Sequence, residues 1–345
     1  MRSYLINSFY FQYQLFKAHL SEQFDFTFMP PGYDKPERAI SYVWRNYLLL
    51  KKMYVRGEVA KFDVVQFNRA EAFLLFKKYP KQISIFEIHG FDIGVRGQDY
   101  LKDLHTSWKV WLGKFFDKLI EKKVIAKIQE PNILYVSTPD LVKPIAEWCG
   151  RTPQWLPNPI DTEQFNPTGP VIKLAGNPAI FLAARLHGDK KIEFVFDIFE
   201  KNILPKYPEA VLHLLETGEL TAHYKQVTKN SPNYSWLPYM DKPKLAAVIR
   251  GSDLVFGDSA IGALSLLPMQ VMACKKPIVT LDNYEIIKVP MEKLPELAMR
   301  LLANPQFRLD FVEKNARYIN EIHSPEAVCK KHLENIQKYL KIKKI

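Results

Sequence analysis

Short runs of apolar residues alternate with longer amphipathic segments along most of the chain. Seven runs are almost wholly apolar, as strands buried on both faces of a sheet are. They cover residues 62–67, 82–90, 132–138, 179–186, 210–216, 253–259 and 276–281. Segments with helical periodicity lie between most of them, and a further helix is predicted at 324–341. This alternation predicts an α/β protein with parallel sheets that are covered by helices on both faces.

The predicted strands fall into two sets. Residues 155–178, rich in Pro, Gly and Asn, separate the sets, and this composition is typical of loops and linkers. We therefore expect two Rossmann-like, doubly wound domains, at 1–158 and 159–322, followed by a terminal segment at 323–345.

Composition places the chain among ordinary globular proteins. Of its 345 residues, 47% are hydrophobic and 25% are charged, which excludes disordered, collagenous and disulfide-framework classes. No run approaches the length of a membrane span, and the start lacks the apolar core of a signal peptide. Three widely spaced cysteines give an odd count and no metal spacing, which favours a reducing cytoplasm.

The charge balance is basic. There are 48 Lys and Arg against 37 Asp and Glu, a net charge of +11. Such a chain attracts phosphate-bearing partners, namely nucleic acid, anionic lipid or nucleotide ligands, unless the lysines only form a solvated surface. No nucleic-acid-binding motif is present, so nucleic acid is not expected as a partner.

Two predicted helices, at 38–56 and 108–123, combine aromatic and aliphatic residues with a basic edge. Such helices either lie in a membrane interface or simply pack on a sheet. The first alternative predicts peripheral attachment to an anionic membrane surface.

Several motifs, in the same order along the chain, resemble the retaining GT-B glycosyltransferases of family four. WLPNPIDTEQFNP at 155–167 is similar to the interdomain segment of that family. EIHGFD at 87–92, AARLHGDKK at 183–191 and GALSLLPMQVMACKKPIV at 262–279 resemble three further segments.

The resemblance implies two Rossmann-like domains that face each other across a cleft, with the segment 323–345 crossing back to the first domain. It also implies a hexosyltransferase-type enzyme that takes a sugar from a nucleotide-diphosphate donor. The acceptor would be a glycan or a lipid-linked molecule, and the anomeric configuration would be retained. No metal and no cofactor are expected.

Catalytic roles fall on three residues. Arg185 and Lys190 are five positions apart across a strand end and a turn, so both can reach one phosphate cluster. Alternatively they are surface residues beside a strand. His89 follows an apolar strand and matches a family histidine beside the sugar; it could otherwise be a strand-end histidine bonded to backbone.

The donor-binding residues are predicted mainly in the loop and helix that begin at 258. Small residues allow close approach of the backbone to a ligand, and a helix start favours an anion. The same residues could instead form an ordinary strand–turn–helix junction. The donor-binding set is Asp258, Gly262, Ala263, Leu264, Ser265, Gln270 and, in the preceding strand turn, Gly218.

The sequence departs from the family at two of these positions. The family has two glutamates in this loop, and Gly262 and Gln270 stand in their places. Gln270 can still bind a ribose hydroxyl without charge assistance, whereas Gly262 has no side chain to offer. The alternative to an enzyme is therefore a catalytically inactive GT-B-fold binding or scaffold protein.

Overall fold

The computed structural model describes residues 1–7, 10–28, 39–67, 75–88, 123, 125–186, 192–257, 265–280 and 289–342. The chain forms two compact units. The first comprises Met1–Asn158 and Val328–Ile345, and the second comprises Pro159–Ala327.

A parallel sheet of six strands forms the centre of the first unit. In chain order the strands are β1 (Arg2–Asn7), β2 (Phe24–Phe28), β3 (Val64–Phe67), β4 (Ile83–Ile88), β5 (Ile133–Val136) and β6 (Gln154–Trp155). They lie side by side in the order β2-β1-β3-β4-β5-β6. Strands β3, β4 and β5 are buried along their whole length, as expected of parallel strands covered on both faces.

Helices cover both faces of this sheet. They are α1 (Tyr10–Leu20), α2 (Ala39–Val55), α3 (Val142–Cys149) and α10 (Pro325–Ile342). On one face α1 and α10 pack their apolar residues, among them Phe16, Val328 and Ile336, against the sheet. Leu50 of α2 and Ile145 of α3 belong to the core on the other face.

A chain of buried polar groups crosses the core between α10 and β4. The Tyr135 hydroxyl lies 3.3 Å from His332 Nδ1, and His332 Nε2 lies 2.9 Å from the Tyr4 hydroxyl. The Tyr4 hydroxyl donates to Gln66 Oε1, so it accepts from His332 Nε2–H. Gln66 Nε2 in turn donates to Glu87 Oε2 at 2.8 Å.

Glu87 is the acceptor at the end of this chain. Besides Gln66, it accepts from Gln12 Nε2 at 3.0 Å. At the other end, the side chain of Asn335 hydrogen-bonds to the hydroxyl of Tyr135. All of these side chains are buried, and buried polar groups are tolerated because they satisfy one another.

A second parallel sheet forms the centre of the second unit. Its strands are β7 (Ala179–Leu182), β8 (Val211–Leu215), β9 (Tyr234–Leu237), β10 (Leu254–Phe256) and β11 (Ile278–Val279). The spatial order is β11-β10-β7-β8-β9. This is the strand order of one half of a doubly wound fold, in which the first strand lies in the middle.

Helices separate the strands and close the second core. They are α4 (Glu193–Ile198), which continues as a π-helical segment Phe199–Ile203, α5 (Thr221–Thr228), α6 (Lys242–Gly251), α7 (Leu266–Ala273), α8 (Leu294–Ala303) and α9 (Pro305–Tyr318). Asp241 starts α6 by accepting the Lys244 N–H at 3.0 Å, and Asn304 starts α9 by accepting the Phe307 N–H at 2.9 Å.

The predicted fold class is confirmed: the two sheets are parallel, and helices lie between their strands. Each of the seven apolar runs contains one of the strands β3, β4, β5, β7, β8, β10 and β11. The helix predicted at 38–56 is α2, and that predicted at 324–341 is α10. The helix predicted at 108–123 lies outside the described residues, apart from residue 123.

Candidate functional site

The candidate site is determined by the order of strands in the second sheet. From β7 the chain proceeds to β8 and β9 on one side, and β10 and β11 lie on the other side of β7. The order therefore reverses between β7 and β10. In open α/β sheets a crevice forms outside the carboxyl ends of the strands at such a reversal, and ligands bind there.

Backbone hydrogen bonds join the carboxyl ends of four neighbouring strands. The Ala183 N–H, after β7, donates to Phe256 O at the end of β10, at 2.8 Å. Gly257 N–H donates to Val279 O at 2.9 Å and links β10 to β11. Leu186 N–H donates to Thr217 O at 2.8 Å and links the turn after β7 to the turn after β8. We call this continuous edge, residues 183–186, 216–220, 257 and 280, the rim.

Gly218 allows the two turns of the rim to meet. It has φ of +113°, a conformation that favours glycine. A Cβ at this position would overlap the Leu186 carbonyl oxygen and lie 2.6 Å from the Leu186 nitrogen. The prediction that Gly218 belongs to the donor site stays untested, but its place on the rim has a clear steric cause.

Gly257 has the same role on the other side of the rim. A Cβ there would lie 2.8 Å from Thr280 Oγ1 and 3.1 Å from Pro268 Cγ. The missing side chain thus lets the end of β10 pack against the end of β11 and the first turn of α7. Neither Gly257 nor Thr280 was among the predicted site residues; the signal available in the sequence was a glycine inside the apolar run 253–259.

The first turn of helix α7 lies beside the end of β10, since Pro268 is among the nearest neighbours of Gly257. Ser265 is the N-cap residue, in an extended conformation, and its hydroxyl accepts no hydrogen bond from the first turn. The first turn has no acidic side chain. Amide groups at a helix start, together with the helix dipole, favour an anion. Gln270 lies one turn further along α7 and is half-buried.

Arg185 is the cation of the rim. Its side chain is exposed, and its backbone lies between two hydrogen-bonded positions, Ala183 and Leu186. None of the described residues forms an ion pair or a side-chain hydrogen bond with its guanidinium.

A side-chain hydrogen bond links helices α4 and α5, which follow the rim turns after β7 and β8. The hydroxyl of Tyr224 on α5 donates to Glu193 Oε1 at the start of α4, at 2.7 Å. Burial raises the pKa of Tyr224, and the nearby Glu193 carboxylate raises it further, so the hydroxyl keeps its proton. The start of α4 is thereby fixed beside α5.

Six of the predicted site residues lie outside the described residues: Lys190, His89, Asp258, Gly262, Ala263 and Leu264. The structure places the other four, Arg185, Gly218, Ser265 and Gln270, at the carboxyl edge of the second sheet or in the helix that follows it. Their donor-binding and catalytic roles remain predictions.

Within the described ranges, no group of three or more His, Cys, Asp or Glu side chains could hold a metal ion. In the same part of the chain, no helix combines the length and apolar character needed to cross a membrane.

Comparison with solved structures identifies the fold. Sucrose-phosphate synthase from Thermosynechococcus elongatus matches with a TM-score of 0.69 and 12% identity, covering 99% of this chain and 99% of that one. WaaG, a glycosyltransferase of lipopolysaccharide biosynthesis, matches with a TM-score of 0.63 and 11% identity over 95% and 98% of the two chains. Anabaena HepE, in complex with UDP, matches with a TM-score of 0.63 and 11% identity over 98% and 100%.

These similarities show that the chain has the GT-B fold, as predicted. No protein-family model matches the sequence, and no curated protein matches it. A shared fold hosts many functions, so the function has to be argued from the site.

Proposed function

We propose that the chain is a glycosyltransferase that takes its sugar from a nucleotide-diphosphate donor. The observation that carries the proposal is the position of Arg185, directly after β7 at the reversal of strand order. An exposed guanidinium and the positive end of a helix dipole, both at the carboxyl edge of this sheet, are suited to a diphosphate. The solved structures of the same fold include a glycosyltransferase and a complex with UDP.

In the proposed reaction, the bond between the anomeric carbon and the donor's β-phosphate oxygen breaks as the acceptor oxygen bonds to that carbon. Negative charge develops on the leaving diphosphate, and cations already placed there lower the barrier. We assign this role to Arg185 and Lys190. In the retaining course that the family resemblance implies, the acceptor proton passes to the leaving phosphate oxygen. His89 would then contribute polar contacts to the sugar rather than act as an obligatory base.

Donor binding tests the role of Arg185. Titration calorimetry with UDP and with GDP should show binding of at least one nucleotide to the full chain. Arg185→Ala should weaken that binding by roughly tenfold or more, because a hydrogen bond to a charged group is lost. Arg317→Ala removes an exposed arginine from α9 and is the matched control. Equal affinities of the Arg185 and Arg317 variants would refute the assignment.

Turnover separates the enzyme from the alternative of an inactive GT-B-fold protein. Consumption of UDP- or GDP-sugars, by transfer or slow hydrolysis, supports the enzyme. Nucleotide binding that depends on Arg185, without any donor consumption, supports the binding or scaffold protein, which the residues Gly262 and Gln270 favour. We also propose that no metal is required, and the same assay in EDTA tests this, since loss of turnover would contradict it.

Gln270 is proposed to bind the ribose of the donor. Its amide offers an acceptor and donors but no charge. The variant Gln270→Glu restores a charged acceptor and should tighten nucleotide binding. An unchanged affinity would argue that Gln270 does not contact the ribose.

For the acceptor, we propose a glycan or a lipid-linked molecule reached at an anionic membrane surface. Helix α2 supports the membrane part of this proposal, because only one side of its described half packs on the sheet. Leu50, Met53 and Tyr54 contact the core. The opposite side exposes apolar and basic residues together, namely Leu48, Leu49, Val55, Lys51 and Lys52.

Co-sedimentation with vesicles tests this attachment. The full chain should bind vesicles that contain phosphatidylserine at low salt, and Lys51→Glu with Lys52→Glu should reduce binding, since each basic residue near such a surface contributes about 1 kcal/mol. Lys143→Glu with Lys201→Glu, at exposed lysines of α3 and the segment after α4, controls for net charge. Equal binding by both double variants would contradict a role for α2. We also propose a reducing, cytoplasmic location, because Cys149, Cys274 and Cys329 are buried thiols that form no disulfide with one another.

A further inference from the structure

A cavity of about 540 Å³ lies at the amino ends of the strands of the second sheet. Pro178, Asp253 and Pro277 line it, and they immediately precede β7, β10 and β11. The rim lies at the carboxyl ends of the same strands. The cavity is therefore separate from the candidate nucleotide site, and it does not depend on the proposed function.

Two of the cations that line this cavity form no ion pair with any carboxylate in the described part of the chain. The Arg308 guanidinium donates through Nη1 to the carbonyls of Leu301 and Leu302, at 3.1 and 3.4 Å, which leaves its other donors. The Lys276 ammonium forms no hydrogen bond or ion pair with any of the described residues. Neighbouring Lys275 differs, because its ammonium binds both oxygens of Glu313, at 2.8 and 2.9 Å.

Lys276 and Arg308 line the same cavity, and the positive charge of Arg308 acts on the Lys276 ammonium. Burial lowers the pKa of Lys276, and the positive charge of Arg308 lowers it as well, while the carboxylate of Asp253 opposes this shift. Asp253 is engaged elsewhere, since its Oδ2 accepts the Ala179 N–H at 2.8 Å. Two neighbouring cations that are partly removed from water gain most from an anion placed between them.

The remaining wall supports an anion with an organic part. Pro305, the first residue of the 14-residue helix α9, lines the cavity, so the positive end of the helix dipole adds to the field of the two side chains. The side chains of Tyr207, Leu302, Leu309 and Val312 supply apolar surface. A volume of about 540 Å³ lies within the usual range for small-molecule sites.

We propose that this cavity is a second ligand site, which binds a small phosphorylated metabolite with its phosphate between Lys276 and Arg308 and its organic part against the apolar wall. The backbone links this site to α7, because the N–H groups of Lys275 and Lys276 donate to the last turn of that helix, at Met272 O and Val271 O. A phosphate bound to Lys276 would therefore restrain the carboxyl end of α7, and the amino end of the same helix adjoins the rim.

Titration calorimetry on the full chain tests the site with three probes: ribose 5-phosphate, inorganic phosphate and ribose. Ribose 5-phosphate should bind, and ribose should not. Lys276→Met keeps the apolar stem of the side chain and removes its charge, so the affinity should fall at least about tenfold. Lys276→Arg keeps the charge and should bind within a few-fold of the parent.

Two further variants test whether the loss is specific to the cavity. Lys314→Met removes an exposed lysine from the same helix α9, and Arg185→Ala removes the cation of the rim; both should leave the affinity for ribose 5-phosphate within about twofold. Inorganic phosphate that binds as tightly as the ester would contradict a contact between the organic part of the ligand and the apolar wall. No binding of either phosphate probe, an unchanged affinity in Lys276→Met, or a loss that follows Arg185 would overturn the proposal.

Discussion

The buried histidine of α10 makes stability of the first unit depend on pH. His332 is fully buried, and its ring stacks on Phe16 with centroids 4.5 Å apart. Because Nε2–H donates to Tyr4, Nδ1 is the acceptor of the hydrogen bond from Tyr135. A proton on Nδ1 would place two donors against each other. Burial lowers the pKa of His332 to about 4, and the charge of Glu87 opposes the shift only in part.

The sign and size of the effect follow from linkage. The pKa of an unfolded histidine is 6.5, so between this value and about 4 the unfolded state binds more protons than the folded state. Stability is therefore complete above the unfolded pKa and is lost as the pH falls towards 4. Because one pKa unit corresponds to about 1.4 kcal/mol, the full loss is about 3 kcal/mol.

Urea unfolding of the full chain at neutral and acidic pH measures this loss. In a Trp236→Phe background the tryptophan fluorescence comes only from residues 1–158, since Trp236 is the single tryptophan of the second unit. The protein should lose about 2 kcal/mol more than a His332→Gln variant between about pH 7 and about pH 4.5. His19→Gln, at an exposed histidine of α1, should behave like the parent. Equal pH dependence of the parent and His332→Gln would refute the reasoning.

Three substitutions in the second unit, with one control in the first unit, are tested by urea unfolding of the full chain followed by circular dichroism, because five other tryptophans obscure the signal of Trp236. Gly218→Ala should lower the free energy of unfolding by about 1–3 kcal/mol and weaken nucleotide binding. Gly150→Ala is the control: φ is also positive there, but no atom lies within 4 Å of the added Cβ, so only the smaller backbone strain is expected. Phe181→Ala should cost about 3–5 kcal/mol through a cavity in the core, and a cost below about 1 kcal/mol would contradict its burial. Asp241→Ala should cost about 1 kcal/mol because the α6 cap is lost, and Asp241→Asn should restore most of it.

Most of the strands could be predicted because a parallel strand that is covered on both faces consists almost entirely of apolar residues, and such a run is visible in the sequence. Four strands were not among the predicted runs. Three of them, β2, β6 and β9, lie at sheet edges, whereas β1 lies inside the first sheet but begins and ends with polar residues. The burial of β2 alternates along the strand, and β9 is only half-buried throughout. Strand β6 has two residues, too few for any pattern. Edge strands have fewer neighbours, so their composition is less restricted.

Contacts between residues that are far apart in the sequence were much harder to predict. Arg185 could be placed at a strand end from its position after an apolar run, but its neighbours on the rim come from turns after other strands, and their identity depends on the order of strands in space. The chain of buried polar groups shows the same limit. Glu87 lies within an apolar run, and its partners Gln12 and Gln66 are 75 and 21 residues away. No local pattern encodes such pairings.

Because helix α10 is translated after the second unit, it determines when the first unit can complete its fold during synthesis. It completes the core of the first unit with Val328, Cys329 and Ile336, yet residues 159–327 must be translated between that unit's strands and the helix. The second unit is one continuous stretch and can acquire its native structure as it emerges from the exit tunnel. The unit synthesised first is therefore the last to be finished, and until then one face of its nascent sheet is exposed to chaperones.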